Sequence, residues 1–243
     1  MTESRPFCTA IVLAGGSGSR MGTSVKKQFL ELDGRPLLYY SMKCFQESPL
    51  IDRIILVSSA DSTEYCRTEI VEKYGFSRTE AIIPGGVQRY DSVYAGLCAC
   101  GDLRQDELVF VHDSARPFLT EDILQRCFAA AEKNGACSAG MPSKDTVNLT
   151  DGNGLVQTVP DRERVWIVQT PQVFRLALLK EAHEKLRAGE MQGVTDDVMV
   201  VRRALGVPVM MARGDYRNIK ITTPDDLALA EGILKTFTDE KKP

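Results

Sequence analysis

The residues from 11 to 30, IVLAGGSGSRMGTSVKKQFL, combine bare backbone with cationic side chains. An apolar run is followed by Gly16 and Gly18, and then by Arg20 and Lys27. Glycines directly after a buried strand let backbone N–H groups approach an anion closely. Arginine adds a fork of hydrogen-bond donors, and lysine adds a compact charge. The stretch therefore predicts a loop that binds a phosphate-bearing ligand.

Neither of the two common glycine-rich phosphate loops fits this stretch. The dinucleotide motif G-x-G-x-x-G requires a third glycine where Met21 stands, which disfavours a nicotinamide oxidoreductase. The P-loop requires lysine after its last glycine, but Thr23 follows Gly22. Lys26, beside Lys27, is interpreted as a solvated charge.

The overall composition is that of an ordinary globular protein. The chain has 243 residues, 43% of them hydrophobic and 26% charged, with a net charge of -3. This length predicts a single α/β domain over residues 1–243. The mild acidity disfavours nucleic acid as a partner. No apolar run approaches the ~20 residues of a membrane span, and MTESRPFCTA lacks the pattern of a signal peptide.

The cysteines and histidines indicate the redox compartment of the protein and bear on whether it holds a metal cluster. Seven cysteines without a C-x-x-C pair favour reduced thiols in the cytoplasm over disulfides. A metal cluster is disfavoured, because His112 and His183 stand alone in the sequence. We interpret His112 as structural and His183 as a solvated residue on a helix.

The elements that must position the loop alternate between two patterns. Continuous apolar runs such as TAIVLAG, RIILVSS and ELVFVHD predict strands that are covered on both faces. Segments such as TEDILQRCFAAAEKNG have helical spacing, with a capping threonine at the start and a glycine at the end. The alternation predicts a Rossmann-like α/β fold, in which helices flank a mostly parallel, twisted sheet.

The alternation breaks between residues 144 and 165. Two extended runs surround Asp151–Gly154, which predicts a β-hairpin arm that protrudes from the sheet. Further along, Thr195 is predicted to cap the helix in VTDDVMVVRRALG, and NIKITT is predicted to be a strand. A two-stranded hairpin is only marginally stable alone, so the arm needs a partner surface.

Five segments in order carry a family resemblance that extends from about Cys8 to about Phe237. They are LAGGSGSRM with KKQFL, GGVQRYDSV, VHDSARPFL, QTPQVF and NIKITTPDDLALAE. Together they resemble the nucleotidyltransferases that join a polyol phosphate to a nucleotide, and within these the 2-C-methyl-D-erythritol 4-phosphate cytidylyltransferases of the non-mevalonate isoprenoid pathway. The resemblance implies cytidylyl transfer from CTP to that polyol phosphate, with release of pyrophosphate.

This reaction explains why no obvious catalytic base is visible. The attacking group is the substrate's own phosphate, whose second pKa is about 6, so the phosphate is largely dianionic near neutral pH. The obstacle is repulsion between two anions, which cations relieve. The resemblance implies that Arg20 and Lys27 stabilise the transition state and that Arg162 and Lys220 position the acceptor phosphate. Asp113 would hold Mg²⁺.

The remaining site residues are also implied by the resemblance. The nucleotide would be bound by backbone and side-chain donors at Ala14, Gly15, Gly16, Gly18, Gly85, Gly86, Arg89 and Ser92. The polyol phosphate would be contacted by Arg116, Thr146, Thr170, Thr195 and Asp196.

The resemblance also bears on the oligomeric state and on alternative functions. In the family that the chain resembles, the arm embraces a second subunit, which implies an isologous homodimer. A ribitol-5-phosphate cytidylyltransferase is the nearest alternative, because it shares KQFL, RPF and QTPQ. A nucleotide-binding regulator without turnover is a third possibility. It is disfavoured because the implied catalytic residues are present together.

Overall fold

Parallel strands that are buried on both faces form the centre of the molecule. The computed structural model describes residues 5–16, 25–102, 104, 106–189 and 192–239. Within these ranges the strands are β1 (Cys8–Ala14), β2 (Glu31–Leu32), β3 (Arg35–Pro36), β4 (Arg53–Ser58), β5 (Thr79–Pro84), β6 (Leu108–Asp113), β7 (Ala136–Pro142), β8 (Leu149–Thr150), β9 (Val156–Thr158), β10 (Trp166–Arg175) and β11 (Met210–Arg213).

Seven of these strands form one sheet in the order β11-β7-β10-β6-β1-β4-β5. The pairings β1–β4, β1–β6, β4–β5 and β7–β11 are parallel. Only β10 runs against its neighbours, β6 and β7. The sequence prediction of a mostly parallel α/β sheet is therefore confirmed.

The helices cover both faces of the sheet. They are α1 (Leu37–Glu47), α2 (Thr63–Tyr65, continued by a π-helical segment over Cys66–Glu72), α3 (Arg89–Ala99), α4 (Glu121–Asn134), α5 (Leu176–Arg187), α6 (Asp197–Leu205) and α7 (Pro224–Asp239). Successive β1 residues divide between two cores: Ala10 and Val12 pack with α1 and α4, whereas Ile11 packs with α3, α5 and α6. This alternation follows from the two-residue period of a strand.

The helix termini confirm some predicted caps and correct others. Thr120 accepts a hydrogen bond from the Ile123 amide at the start of α4, as predicted. The predicted cap of α6 is wrong by one residue, because the Asp196 carboxylate accepts from the Met199 amide. The Thr195 hydroxyl instead donates to the Met199 sulfur. A carboxylate is favoured here because it also interacts with the positive end of the helix.

The segment NIKITT is not a strand, and this prediction is also wrong. Residues 218–223 follow an irregular path after β11. The Ile221 amide donates to the carbonyl of Ala115, which lies beyond the end of β6 rather than in a sheet ladder. The apolar alternation of the segment reflects the burial of Ile221 among α7 residues instead. Because Ile221 is buried and bonded to Ala115, the neighbouring Lys220 is held close to the carboxyl end of β6.

The predicted hairpin is present. Strands β8 and β9 pair antiparallel, and the Asp151 carboxylate accepts hydrogen bonds from the amides of Asn153 and Leu155 in the turn between them. Gly154 has φ of 87°, a backbone conformation that favours glycine. Every residue of the two strands is exposed.

None of the helices in the described part of the chain has the length and apolar character that a bilayer crossing requires.

Candidate active site

Several of the predicted site residues meet where the parallel strands end. Because parallel strands share their carboxyl edge, the residues that follow β1, β5 and β6 lie side by side. A cleft of about 170 Å³ lies at this edge. It is lined by Leu13, Gly15, Gly16, Lys27, Gln28, Gly86, Val87, Gln88, Arg89, Ser92, Asp113, Ser114, Ala115 and Lys220.

The first wall of the cleft is the turn that follows β1. Residues Lys27–Phe29 form a single 3₁₀ turn. The buried Gln28 side chain donates from Nε2 to the Ala14 carbonyl at 2.6 Å. Lys27 lies against Gly16, where a β-carbon would come within 3.2 Å of its Cε atom. A glycine at position 16 therefore leaves the room that the lysine side chain occupies.

The second wall is the glycine pair after β5. A β-carbon on Gly85 would lie 2.5 Å from the Ser92 Oγ, and one on Gly86 would lie 2.2 Å from the Asp91 Cβ. The Ser92 hydroxyl accepts from the Gly86 amide at 3.2 Å. Gln88 caps α3, and the Asp91 carboxylate accepts from the Gln88 amide. These contacts fix the backbone that lines the cleft.

Asp113, at the end of β6, is held between two cations. Arg89 Nε lies 3.1 Å from its Oδ1, and Lys220 Nζ lies 2.7 Å from its Oδ2. Burial alone would raise the pKa of Asp113, but the charges of Arg89 and Lys220 outweigh this and lower the pKa well below its usual range. The carboxylate is therefore ionised throughout the physiological pH range.

Arg89 also binds a second, fully buried carboxylate. Its Nη1 lies 2.8 Å from Asp197 Oδ2, and His183 Nε2 lies 3.3 Å from Asp197 Oδ1. Burial alone would raise the pKa of Asp197, but the effects of Arg89 and His183 together are larger and lower it. The net shift of the pKa is therefore downward. His183 is buried, and its interpretation as a solvated residue is wrong. The helix face that carries it packs inward against α6 and places it beside Asp197.

A hydrogen-bonded chain supports Asp113 from behind. The Asp113 amide donates to the Thr170 hydroxyl at 3.2 Å, and that hydroxyl lies 3.0 Å from His112 Nδ1. His112 Nε2 lies 3.2 Å from the Arg116 carbonyl. Burial lowers the pKa of His112 to about 4, so the ring is neutral near pH 7. The arrangement fits its expected structural role, with Nε2–H donating to Arg116 and the Thr170 hydroxyl donating to Nδ1.

Arg116 connects the end of β6 to the loop that carries Lys220. Its Nη1 donates to the Asn218 carbonyl at 2.8 Å, and its Nη2 donates to the Val168 carbonyl at 3.4 Å. Burial lowers the pKa of the guanidinium from its ordinary value. The residue therefore stabilises the position of Lys220 across a large sequence separation.

Several predicted residues lie away from the cleft of their own chain. Arg162 is exposed in a 3₁₀ turn, Arg162–Arg164, near the end of the arm, and Thr146 is exposed near its beginning. Thr195 is exposed before α6. The Asp196 carboxylate accepts a hydrogen bond from the side-chain amide of Gln172, with Nε2 to Oδ2 at 3.0 Å. Their contacts with a substrate stay predictions. Gly18 and Arg20 lie outside the described residues.

Three polar residues of this region were missed or misjudged by the sequence analysis. Lys26 is not a solvated charge, because its ammonium contacts Asp61 and two serines. For Gln28 the sequence carried one usable signal of burial, because this polar residue stands directly before the apolar Phe29 and Leu30. Asp197 carried no signal, because an acidic residue in the first turn of a helix is common for electrostatic reasons alone.

The fold and the cleft together define a class of protein. A mostly parallel sheet that presents a glycine-containing turn, a carboxylate and several cations at its carboxyl edge suits a protein that binds phosphate-bearing ligands, as a nucleotidyltransferase does. Residues 8–236 match the family model described as "2-C-methyl-D-erythritol 4-phosphate cytidylyltransferase" (IspD). The chain belongs to this family.

Individual relatives agree with the family model. A 2-C-methyl-D-erythritol 4-phosphate cytidylyltransferase from Geobacter metallireducens is 44% identical over 93% of this chain and 97% of its own length. One from Lachnoclostridium phytofermentans is 40% identical over 95% and 97%. The crystal structure of a 4-diphosphocytidyl-2C-methyl-D-erythritol synthase from Anaerococcus prevotii superimposes with a TM-score of 0.81 at 34% identity and covers 95% of this chain and 96% of that one.

The buried Asp197 predicts a pH-dependent loss of stability. Asp197→Asn would leave Arg89 facing a neutral amide, and breaking a buried ion pair costs roughly 3 kcal/mol. Because the folded-state pKa of Asp197 is lowered, the ionic contribution is complete above the unfolded value of about 3.9. It declines as the pH falls below that value and is lost as the pH passes through the folded-state pKa. Urea unfolding should therefore show a gap between variant and parent that is widest near pH 7 and narrows below about pH 4.

Asp225→Asn is the matched control, because Asp225 is exposed in the first turn of α7. Its effect should stay within about 0.5 kcal/mol. A gap for Asp197→Asn that is equally wide at both ends of the pH range would contradict the proposed ionic role.

Proposed function

We propose that this chain transfers a cytidylyl group from CTP to 2-C-methyl-D-erythritol 4-phosphate, forming the CDP-linked polyol and pyrophosphate for isoprenoid biosynthesis. Membership of the family supports the reaction. The single structural observation that carries it is the cleft at the carboxyl edge of the sheet, where Asp113 is paired with Arg89 and Lys220 and where Lys27 lines the same cavity.

The chemistry requires charge compensation rather than proton removal. The acceptor phosphate has a second pKa of about 6 and attacks the α-phosphorus of CTP as a dianion. Pyrophosphate leaves as the new phosphoanhydride bond forms. His112 is neutral and faces Thr170 and Arg116 behind Asp113, so it is not directed at a reacting phosphate. The cations of the cleft lower the barrier by bringing two anions together.

Four cations divide this work in our proposal. Lys27 and Arg20 stabilise the charge that develops on the α-phosphate and on the leaving pyrophosphate. Lys220 and Arg162 position the acceptor phosphate. The position of Lys220 beside Asp113 supports its part, because a phosphate that binds there would contact both Lys220 and Lys27, which line the same cleft. Arg162, exposed in the last part of the arm, would act on the neighbouring subunit.

We propose Mg²⁺ as the cofactor, with Asp113 as its protein ligand. Among the residues that the structure describes, no group of three or more His, Cys, Asp or Glu side chains could hold a metal ion. This fits Mg²⁺, which commonly binds through one or two carboxylates plus substrate phosphates and waters. The ionised Asp113 provides such a carboxylate. When bound, the ion would neutralise polyphosphate charge, while Arg89 keeps the carboxylate oriented.

The backbone around the cleft supports nucleotide binding. We propose that the amides and carbonyls of Ala14, Gly15, Gly16, Gly85 and Gly86 contact the nucleotide, with Gly18 continuing the first loop. Arg89 and Ser92 hold this backbone and Asp113 in place. The polyol phosphate would then be contacted by Arg116, Thr146, Thr170, Thr195 and Asp196. The Thr170 hydroxyl already binds Asp113 and His112, so its part includes support of the carboxylate.

We further propose that residues 1–243 form one nucleotidyltransferase domain whose arm, residues 144–165, mediates an isologous homodimer. Four apolar side chains of the arm are exposed: Leu149, Leu155, Val156 and Val159. An isolated hairpin with such side chains requires a covering surface. The seven free cysteines support a reducing cytoplasmic location, which cell fractionation would test.

The function is tested by pyrophosphate release from CTP and Mg²⁺ with each acceptor in turn. The methylerythritol phosphate should be strongly preferred over ribitol 5-phosphate. A preference for ribitol 5-phosphate would establish the alternative polyol specificity. Binding of CTP without pyrophosphate release from any acceptor would indicate the non-catalytic regulator instead.

Lys27→Ala should lower turnover by about 10²-fold, an effect similar to the loss of one oxyanion-stabilising donor. The melting temperature should change little, because Lys27 lines an open cleft. Steady-state kinetics measure the effect, and Lys73→Ala, at an exposed lysine paired with Glu69, is the control. Parental turnover in Lys27→Ala would remove Lys27 from the reaction.

Asp113→Asn should raise the Mg²⁺ concentration needed for half-maximal activity at least about tenfold, because a neutral amide is a poorer ligand for this hard cation. A Mg²⁺ titration of activity and a titration of Mg²⁺-dependent CTP binding measure it. Asp122→Asn, at an exposed acid of α4, should behave as the parent does. An unchanged Mg²⁺ requirement in Asp113→Asn would exclude Asp113 as the ligand.

Leu155→Asp should shift the protein from dimer to monomer, because it places a charge on the apolar face of the arm. Sedimentation velocity over a range of protein concentrations measures the shift. Leu229→Asp, at an equally apolar exposed position on α7, should leave the dimer intact. A parent protein that sediments as a monomer would refute the dimer.

A further inference from the structure

The Lys26 ammonium is bound by four oxygen atoms of the segment that follows β4. Its Nζ lies 2.8 Å from Ser59 Oγ, 2.5 and 2.7 Å from the two carboxylate oxygens of Asp61, and 2.8 Å from Ser62 Oγ. All four belong to the segment directly after β4. The charge of Lys26 is thus compensated by Asp61, and Lys26 is not among the residues that line the cleft.

The backbone of Lys26 begins the turn that presents Lys27. Lys26 has φ of -63° and ψ of 135°, and its carbonyl accepts from the Phe29 amide at 2.8 Å. On the other side of Lys27, Gln28 is fixed by its hydrogen bond to Ala14. Lys27 therefore lies between two anchored neighbours, one attached to the end of β4 and the other to the end of β1.

Stability does not explain the contacts of Lys26. The Asp61 side chain is 73% exposed and that of Lys26 is 27% exposed, and exposed ion pairs add little to folding. Ordering a lysine side chain also costs rotamer entropy. Four acceptors around one ammonium instead restrict the side chain of Lys26, and through it they fix the position of the Lys26 backbone. The backbone in question leads directly to the side chain that the proposed reaction needs.

We propose that Lys26 is a positioning residue, which holds Lys27 in the cleft by anchoring the start of the 3₁₀ turn to Ser59, Asp61 and Ser62. The inference rests on the proposed function, because it concerns Lys27 as a phosphate-binding group. It assigns Lys26 no contact with a substrate. Loss of the anchor should lower the fraction of molecules in which Lys27 is correctly placed, and misplacement of a catalytic group by about 1 Å can cost up to about 10²-fold in rate.

The backbone angles supply a specific test. A φ of -63° lies within the range that proline enforces. Lys26→Pro would thus restrict the same backbone without an ammonium group. If Lys26 acts through the backbone, proline should replace it. If Lys26 acts through its charge on a phosphate, proline should be as defective as alanine.

The experiment measures kcat, the KM for CTP and the melting temperature for the parent, Lys26→Ala, Asp61→Ala, the double variant and Lys26→Pro. We expect kcat to fall roughly tenfold in Lys26→Ala and roughly threefold in Asp61→Ala, with KM for CTP within about twofold and the melting temperature nearly unchanged. The double variant should be no slower than Lys26→Ala, because both substitutions break the same contact. Lys26→Pro should recover most of the parental kcat.

Lys43→Ala is the matched control, because Lys43 is a partly exposed lysine paired with Glu47 on α1. Parental kcat in Lys26→Ala would overturn the proposal, as would additive losses in the double variant. A folded Lys26→Pro that is as slow as Lys26→Ala would overturn it too. If the melting temperature shows that Lys26→Pro is unfolded, the double-variant comparison decides. A parent without CTP-dependent turnover would refute the proposed function and this inference together, whereas an active parent with an equally active Lys26→Ala would refute only the inference.

Discussion

The ion pairs of Asp113 with Arg89 and Lys220 are the interaction on which the rest of the site depends. They connect the end of β6 to the start of α3 and to the loop after β11, three places that are distant in sequence. Without Asp113 the two cations would repel each other at close range. With it, the cleft holds a fixed carboxylate and a net excess of positive charge from Lys27. In the proposed function, the positive charge serves the phosphates and the Asp113 carboxylate serves Mg²⁺.

The fold supplies this arrangement through burial at one edge of the sheet. Parallel strands covered on both faces direct their carboxyl ends toward one side, and ligands of open α/β sheets bind there. Asp197 holds Arg89 from behind, and Thr170 with His112 supports the Asp113 backbone. The carboxylates in this region remain ionised because cations outweigh the effect of burial on their pKa. The site is therefore preorganised for charge compensation rather than for proton transfer.

The sequence predicted those features that depend on local patterns. The apolar runs predicted the parallel sheet, and Asp151–Gly154 predicted the hairpin, because strand burial and turn geometry are encoded over a few residues. Position relative to strand ends placed Asp113 in the cleft. The partners of Asp197, His183 and Lys26 could not be predicted, because each pairs with a residue that is distant in sequence and that no local pattern specifies. NIKITT has the alternating apolar residues of a strand, but these residues pack against α7 and the segment joins no sheet.

The central claim is that fixed cations bring two anions together and that no side chain removes a proton. The most direct measurement is the pH dependence of kcat/KM for the natural acceptor and for its phosphonate analogue, whose second pKa is higher. If the substrate dianion is the nucleophile without a protein base, the acidic limb of the profile should move to higher pH with the analogue, by the difference between the two acceptor pKa values. An acidic limb that stays at the same pH for both acceptors would show that a group on the enzyme loses the proton, and would contradict the claim.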